Sequence, residues 1–321
     1  MVHQIMQSNR CQFFFGLLTV LLLFFSCSKK DLDTTAAHPD WPKELHVAYL
    51  PDEEQPGCRL EMYQALEAYL ERELGIEVTV VKTSLYGPVI EAMRSGKIDV
   101  AYYSAFSYLL ASAKGNAESL VMRSDSLGNP RVYHSLIVVR SASAIENFEM
   151  LMNQALSLVF SFVNPASTSG HLLPRAMMEQ RGITPEKAFK EVIYAGSQNA
   201  AIYSLVSNQA DVASISSANL QKLVLNERID EDYFRVIWKS PDIPAGCTAV
   251  RREFPQSLKD ALRDAYVQME TRDPGLFERI QGIYREYLKE GEEPGGYIPC
   301  DDSFFDELRQ LTQSIEGFSI D

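Results

Sequence analysis

The sequence predicts an α/β protein of two lobes, each a mostly parallel sheet flanked by helices, with a ligand cleft between them. Three observations carry that reading. Strand-like apolar runs alternate with helix-like stripes from residue 44 to about 114, and the alternation resumes in a new register between 156 and 214. Residues 240–244, Ser-Pro-Asp-Ile-Pro, then lead into a mostly helical tail with no lobe of its own. Alternation of this kind feeds parallel sheets covered by helices.

Taken in order, residues 44–50 read as a first strand, stopped by the turn pair Pro51-Asp52. Residues 59–74 place Leu60, Tyr63, Leu66, Tyr69 and Leu70 on one helical stripe, and Gly75 closes it. Residues 76–81 form a second strand, so the unit is a right-handed crossover. A polar loop from Thr83 opens another helix that Gly96 stops, and residues 98–103 return as a strand. Ser104 starts a further helix with Tyr108 in its first turns. After the turn-rich stretch 124–131 comes a strand at 133–139.

The second unit reads as strand 156–163, helix 170–181, strand 191–194, helix 199–207 and strand 210–214. Residues 233–239 form a strand leading back, and the prolines after it permit only an extended connector. Helical segments at 255–270, 274–290 and 302–314 should pack on the first unit. The expected division is therefore 44–137 for the first lobe, 138–238 for the second, and 239–321 for the return and its helices. Clefts between such lobes are where small ligands bind.

At the N-terminus, residues 13–25 are apolar except for Gly16 and Thr19, with Arg10 before them. The run is shorter than the ~20 residues a bilayer span needs, which fits a secretory segment. It ends in Phe25-Ser26-Cys27-Ser28-Lys29-Lys30, similar to a bacterial lipoprotein signal, although Phe24 and Phe25 stand where Leu and a small residue are usual. Residues 1–26 would be removed, Cys27 lipidated at the membrane, and 27–43 would serve as a tether. Cys58, Cys247 and Cys300 would then remain in an exported domain. Three thiols cannot all pair, and the sequence does not choose among the three pairings. With 5 histidines in the chain, these cysteines resemble no metal site, and no cofactor is called for.

A formal net charge of −13 argues against nucleic acid, whose phosphates are held largely by Lys and Arg. A small anion could still be held by neutral donors and dipoles. The stretch Asn164-Pro165-Ala166-Ser167-Thr168-Ser169-Gly170 supplies them, with three adjacent hydroxyls where a strand becomes a helix. The opening N–H groups of a helix lack partners within it and sit at the positive end of its dipole. The plainer reading is that Ser167 or Ser169 only caps the helix.

Six ordered stretches resemble the solute-binding proteins of phosphate, phosphite and phosphonate ABC importers. They are the segment from Ser84-Leu85-Tyr86-Gly87 to Met93; Gly96-Lys97-Ile98-Asp99-Val100-Ala101-Tyr102 with Ser107-Tyr108; the loop 164–170; Ala195-Gly196-Ser197-Gln198; Ala210-Asp211-Val212; and Trp238-Lys239-Ser240-Pro241-Asp242-Ile243-Pro244. The resemblance implies a type II periplasmic binding fold, a phosphorus oxyanion as ligand, and an ABC permease and ATPase as partners. It implies that Tyr86, Tyr108 across the cleft, and Ser167, Thr168 and Ser169 hold the phosphoryl group. Two departures stand out. Gln198 replaces the usual His of Gly-Ser-His, exchanging a group that can be cationic for a neutral amide. Around Ser216, where aminophosphonate binders place an acid, Ser214, Ser216 and Ser217 offer only hydroxyls. His171 could compensate for Gln198, although a first-turn histidine reads as exposed.

Two other functions fit parts of the chain. An exported phosphoesterase would use Ser167 or Ser169 as nucleophile, but no Gly-x-Ser-x-Gly elbow or recognisable histidine partner accompanies them. A ligand-sensing domain for a signalling partner would share the binding residues.

Overall fold

The computed structural model describes residues 38–49, 56–82, 86–288 and 292–313. The expected signal segment, Cys27 and most of the tether lie outside them. In the first lobe, β1 (Glu44–Tyr49), α1 (Pro56–Leu74), β2 (Glu77–Lys82), α2 (Tyr86–Arg94), β3 (Val100–Tyr103), α3 (Ala105–Lys114) and β4 (Ala117–Asp125) follow in order. A short β5 (Val132–Tyr133) then leads to the second lobe. That lobe holds β6 (Ser135–Arg140), α4 (Phe148–Gln154), β7 (Val159–Phe162), α5 (Leu173–Glu179), α6 (Pro185–Ala188), β8 (Glu191–Tyr194), α7 (Gln198–Val206), β9 (Val212–Ser216), α8 (Ser217–Leu225) and β10 (Phe234–Lys239). The return through β11 (Ile243–Pro244) brings β12 (Cys247–Arg251), α9 (Gln256–Val267), α10 (Met269–Arg272), α11 (Pro274–Arg285), β13 (Pro294–Pro299) and α12 (Asp306–Gln313) back to the first lobe.

The first sheet runs β13-β4-β12-β3-β1-β2 and the second β10-β6-β9-β7-β8. Parallel pairing is confined to strands joined through helices, β2-β1-β3 in the first lobe and β8-β7-β9 in the second. Strands that enter or leave a lobe without a crossover helix pair antiparallel: β6 with β9, β10 with β6, and β12 with β3 and β4. Each sheet is therefore parallel at one end and antiparallel at the other. The first change of sheet falls between Tyr133 and Ser135, just before the expected boundary at 137. It falls there because residues 135–139 pair with β9. The two connectors lie side by side, Tyr133 against Ile243 and Val132 against Pro244, as a two-stranded hinge. Pro244 fits this ribbon because an edge strand tolerates a residue without an N–H.

Both lobes bury apolar residues on either face of their sheets. In the first, Val47, Leu70, Leu120 and Leu262 fill one face, and Met93, Phe106, Tyr108 and Phe305 the other. Leu172 and Ala176 of the second lobe join that latter cluster, so the lobes touch beside α3. Cys247 and Cys300 are free buried thiols here, not a disulfide. The side chain of Cys58 is outside the described set.

The features that matter for a ligand are the strand ends at the seam between lobes. β3 ends at Tyr103 and α3 begins at Ala105; β7 ends at Phe162 and a π-helical turn occupies Thr168–Leu172 ahead of α5. β8 leads into α7, and β9 runs directly into α8. Ligands of open α/β sheets bind outside such carboxyl ends.

Candidate functional site

Ser167 caps the turn that follows β7: its Oγ accepts from the Gly170 amide at 3.1 Å. The capping reading of that serine is what the geometry shows. Gly170 is required for the close approach, since a Cβ there would lie 2.3 Å from Val163 Cγ2. Ser135 Oγ donates to the Ser169 carbonyl at 2.6 Å and Ser214 Oγ to the Gly170 carbonyl at 2.8 Å. The turn is thus pinned by its carbonyls to the second sheet.

Thr168 reaches the other lobe. Its Oγ1 accepts from the Phe106 amide in the first turn of α3 at 2.8 Å and donates to Ser104 Oγ at 3.3 Å. Ser104 and Ser107 share a hydroxyl pair at 2.7 Å, and Ser107 also donates to the Ser104 carbonyl at 3.0 Å. Ser169 Oγ accepts from Gln198 Nε2 at 3.3 Å, and Gln198 Oε1 accepts from the Ser216 amide at 2.8 Å. Gln198 is the first residue of α7, and Ser216 immediately precedes α8, its side chain making no capping hydrogen bond. Both ends of the Gln198 amide are therefore engaged, which fixes its orientation.

Four helix starts consequently meet and are joined by hydrogen bonds: α3, the turn at Thr168, α7 and α8. Each contributes partial positive charge from its opening amides, and their fields add at the seam. Ser167, Thr168, Ser169, Ser107 and Ser216 are all nearly inaccessible to water, which keeps screening low. A site of neutral donors within a chain of charge −13 is the consequence.

His171 does not fit the expectation of an exposed residue, and it supplies no cation. It is 3 % exposed, packed edge-on to Phe162 and Tyr194. Its Nδ1 lies 3.0 Å from the Pro165 carbonyl and its Nε2 3.2 Å from the Tyr194 hydroxyl. Burial drives its pKa down to about 4, against a smaller opposing effect of the Pro165 contact. The ring is neutral at pH 7 and holds the Pro165 loop.

Tyr108 requires a correction. Its ring is buried against Phe305 in the first lobe. Its hydroxyl donates to Asp302 Oδ1 at 2.6 Å and accepts from the Ser119 amide at 3.1 Å. Burial and then the Asp302 contact hold this phenol protonated well above its usual range. The partners lie on the C-terminal segment and β4, so the phenol does not cross the cleft. Tyr86 opens α2, and its side chain is outside the described residues. Ser104, Phe106 and Ser107 were not singled out as site residues. Their signal was a serine directly after a strand and before a helix, the pattern that marks Ser167.

Residues 47–288 match the model of a family described as ABC transporter, phosphonate, periplasmic substrate-binding protein. The phosphonates-binding periplasmic protein of Escherichia coli is 29% identical over 227 residues, 70% of this chain and 66% of that protein, just under two thirds of its length. The phosphate-import protein PhnD of Mycolicibacterium smegmatis is 23% identical over 308 residues, 91% of this chain and 92% of that one. Among solved structures, PhnD1 of Prochlorococcus marinus in complex with methylphosphonate superposes with a TM-score of 0.69. That match is 17% identical and covers 85% of this chain and 98% of the other.

Proposed function

Because this chain belongs to the periplasmic substrate-binding proteins of phosphonate ABC transporters, we propose that it captures a phosphonate, phosphite or phosphate anion outside the cytoplasm. It then presents that anion to the permease and ATPase of an importer. Lipid on Cys27 keeps it at the membrane. The observation that carries this reading is the contact between Thr168 Oγ1 and the Phe106 amide, which places two helix starts from different lobes against each other.

In this account Thr168, Ser169 and the opening amides of the second-lobe turn bind the phosphoryl oxygens. The start of α3 closes over them from the first lobe, with Gln198 and Ser216 around the rim, and the family resemblance adds Tyr86 as a further donor. Hydrogen bonds to a charged acceptor contribute about 1.5–3 kcal/mol each. Five or six of them, less the cost of closure and ordering, support micromolar affinity or better. Closure follows because the anion binds the closed arrangement more tightly than the open one.

Among the described residues, the Ser167 and Ser169 hydroxyls accept from the Gly170 amide and Gln198 Nε2, neither of them a base. A serine nucleophile needs a positioned base, and His171 has both ring nitrogens turned to Pro165 and Tyr194. A thermal-shift screen of methylphosphonate, phosphite and phosphate on the purified protein tests the proposal. A rise in melting temperature with at least one of them is expected, with no rise for carboxylates of similar size; no response to any phosphorus oxyanion would refute it.

A further inference from the structure

A second contact joins the lobes away from the anion site. Lys222 lies on α8 of the second lobe, and Glu286 and Tyr287 follow α11 of the first. Lys222 Nζ is 3.3 Å from Glu286 Oε2, donates to the Tyr287 hydroxyl at 3.4 Å, and stands 4.9 Å from the centre of the Tyr287 ring. The Lys222 side chain is 4% exposed, that of Glu286 24%. A buried lysine held by a carboxylate and an aromatic face joins the two lobes here.

We propose that Lys222, Glu286 and Tyr287 form a latch that stabilises the closed arrangement of the lobes and so sets how much of the protein is closed before any ligand arrives. The elements involved explain the coupling. α8 carries Lys222 within its second turn and begins at Ser217, beside Ser216, whose amide Gln198 holds at the anion site. A helix is stiff over this distance, so rotation that separates Lys222 from Glu286 also shifts the start of α8 relative to α3. Opening returns both charges to water, where an exposed pair contributes little. Closing desolvates them together, and their mutual attraction offsets part of that cost. Desolvation indeed lowers the Lys222 pKa, and Glu286 opposes that shift.

The consequence is asymmetric. Glu286→Gln removes the Glu286 carboxylate from beside the buried Lys222 ammonium, an attraction that acts only in the closed arrangement, so the population moves toward the open one. Apparent affinity falls in proportion to the closed fraction. Loss of a buried charge partner across an interface commonly costs enough to weaken binding about tenfold or more.

The test places dyes, through unnatural amino acids, on Leu127 of the first lobe and Leu156 of the second, both largely exposed. Energy transfer is measured on the full chain without ligand. Wild type should show a substantial closed population, Glu286→Gln a clear shift toward the open distances, and Lys222→Glu with Glu286→Lys a recovery of part of that shift. Circular dichroism confirms that each variant is folded. The methylphosphonate dissociation constant should rise about tenfold in Glu286→Gln. Identical distances in wild type and Glu286→Gln, or a charge-swapped protein as open as the single variant, would overturn the latch. The ligand-free distances decide this whether or not methylphosphonate is the anion bound, so failure of the latch and failure of the proposed ligand class are separable.

Discussion

Replacing Thr168 and Ser169 together by alanine removes the two hydroxyls that face the seam while leaving the Ser167 cap and the Gly170 approach intact. Each hydroxyl bonded to an anionic oxygen contributes about 1.5–3 kcal/mol, so their joint removal forfeits about 3–6 kcal/mol before water fills the space. Thr168 also accepts from Phe106 across the gap, and that first-lobe amide loses its partner in the variant. Against this, water entering the cavity would restore part of the loss. Even a quarter of the upper figure, about 1.5 kcal/mol, exceeds the ~1.4 kcal/mol of a tenfold change in affinity. Calorimetric titration of methylphosphonate or phosphite into wild type and variant should therefore show at least about a tenfold weaker dissociation constant. Equal affinity in a variant shown to be folded would move the site away from this turn and refute the reasoning.

Three further outcomes follow from neighbouring residues. His171 has a pKa lowered to about 4, so the unfolded chain binds the extra proton between pH 6.5 and 4. Stability from this group is present above the unfolded value and is lost as pH falls through that window, a change of about 3 kcal/mol, while His171→Gln should flatten it in urea midpoints measured at pH 7.5 and 4. Gly170→Ala drives a methyl into Val163 and should cost about 1–3 kcal/mol, read as a lower melting temperature. Tyr108→Phe leaves the buried Ser119 amide unpaired and should cost about 1–3 kcal/mol in denaturant titration. Its affinity for methylphosphonate should stay within about twofold, well under the 1.4 kcal/mol of a tenfold change, because the hydroxyl serves the first lobe.

The turn at Thr168 was legible because an apolar strand, three hydroxyls and a glycine stand in sequence order, and each acts locally. The α/β alternation was legible for the same reason, since periodicity reports a face of a helix or strand. The antiparallel strands of the tail were not. β13 contains Pro294, Gly295, Gly296 and Pro299, residues that read as loop, yet Gly295 is needed because a Cβ there would meet the Asp125 carbonyl at 1.8 Å. The role of Tyr108 was hidden because its partner Asp302 lies 194 residues away in sequence. His171 read as exposed from its place in a first turn, whereas Phe162 and Tyr194, brought beside it by the pairing of β7 with β8, bury it. The opening of α3 was a weaker signal than that of the second-lobe turn, and only the Thr168 contact with Phe106 shows that the two face each other.

The central claim is that hydroxyls and helix-start amides from both lobes bind a phosphorus oxyanion. A crystal structure of the protein with methylphosphonate tests it most directly. The account predicts a phosphoryl oxygen within hydrogen-bond reach, about 2.5–3.0 Å, of Thr168 Oγ1 or Ser169 Oγ, with the amides at the start of α3 closing on the same group. A methylphosphonate bound away from the meeting point of these helix starts, or an empty seam at saturating ligand, would contradict it.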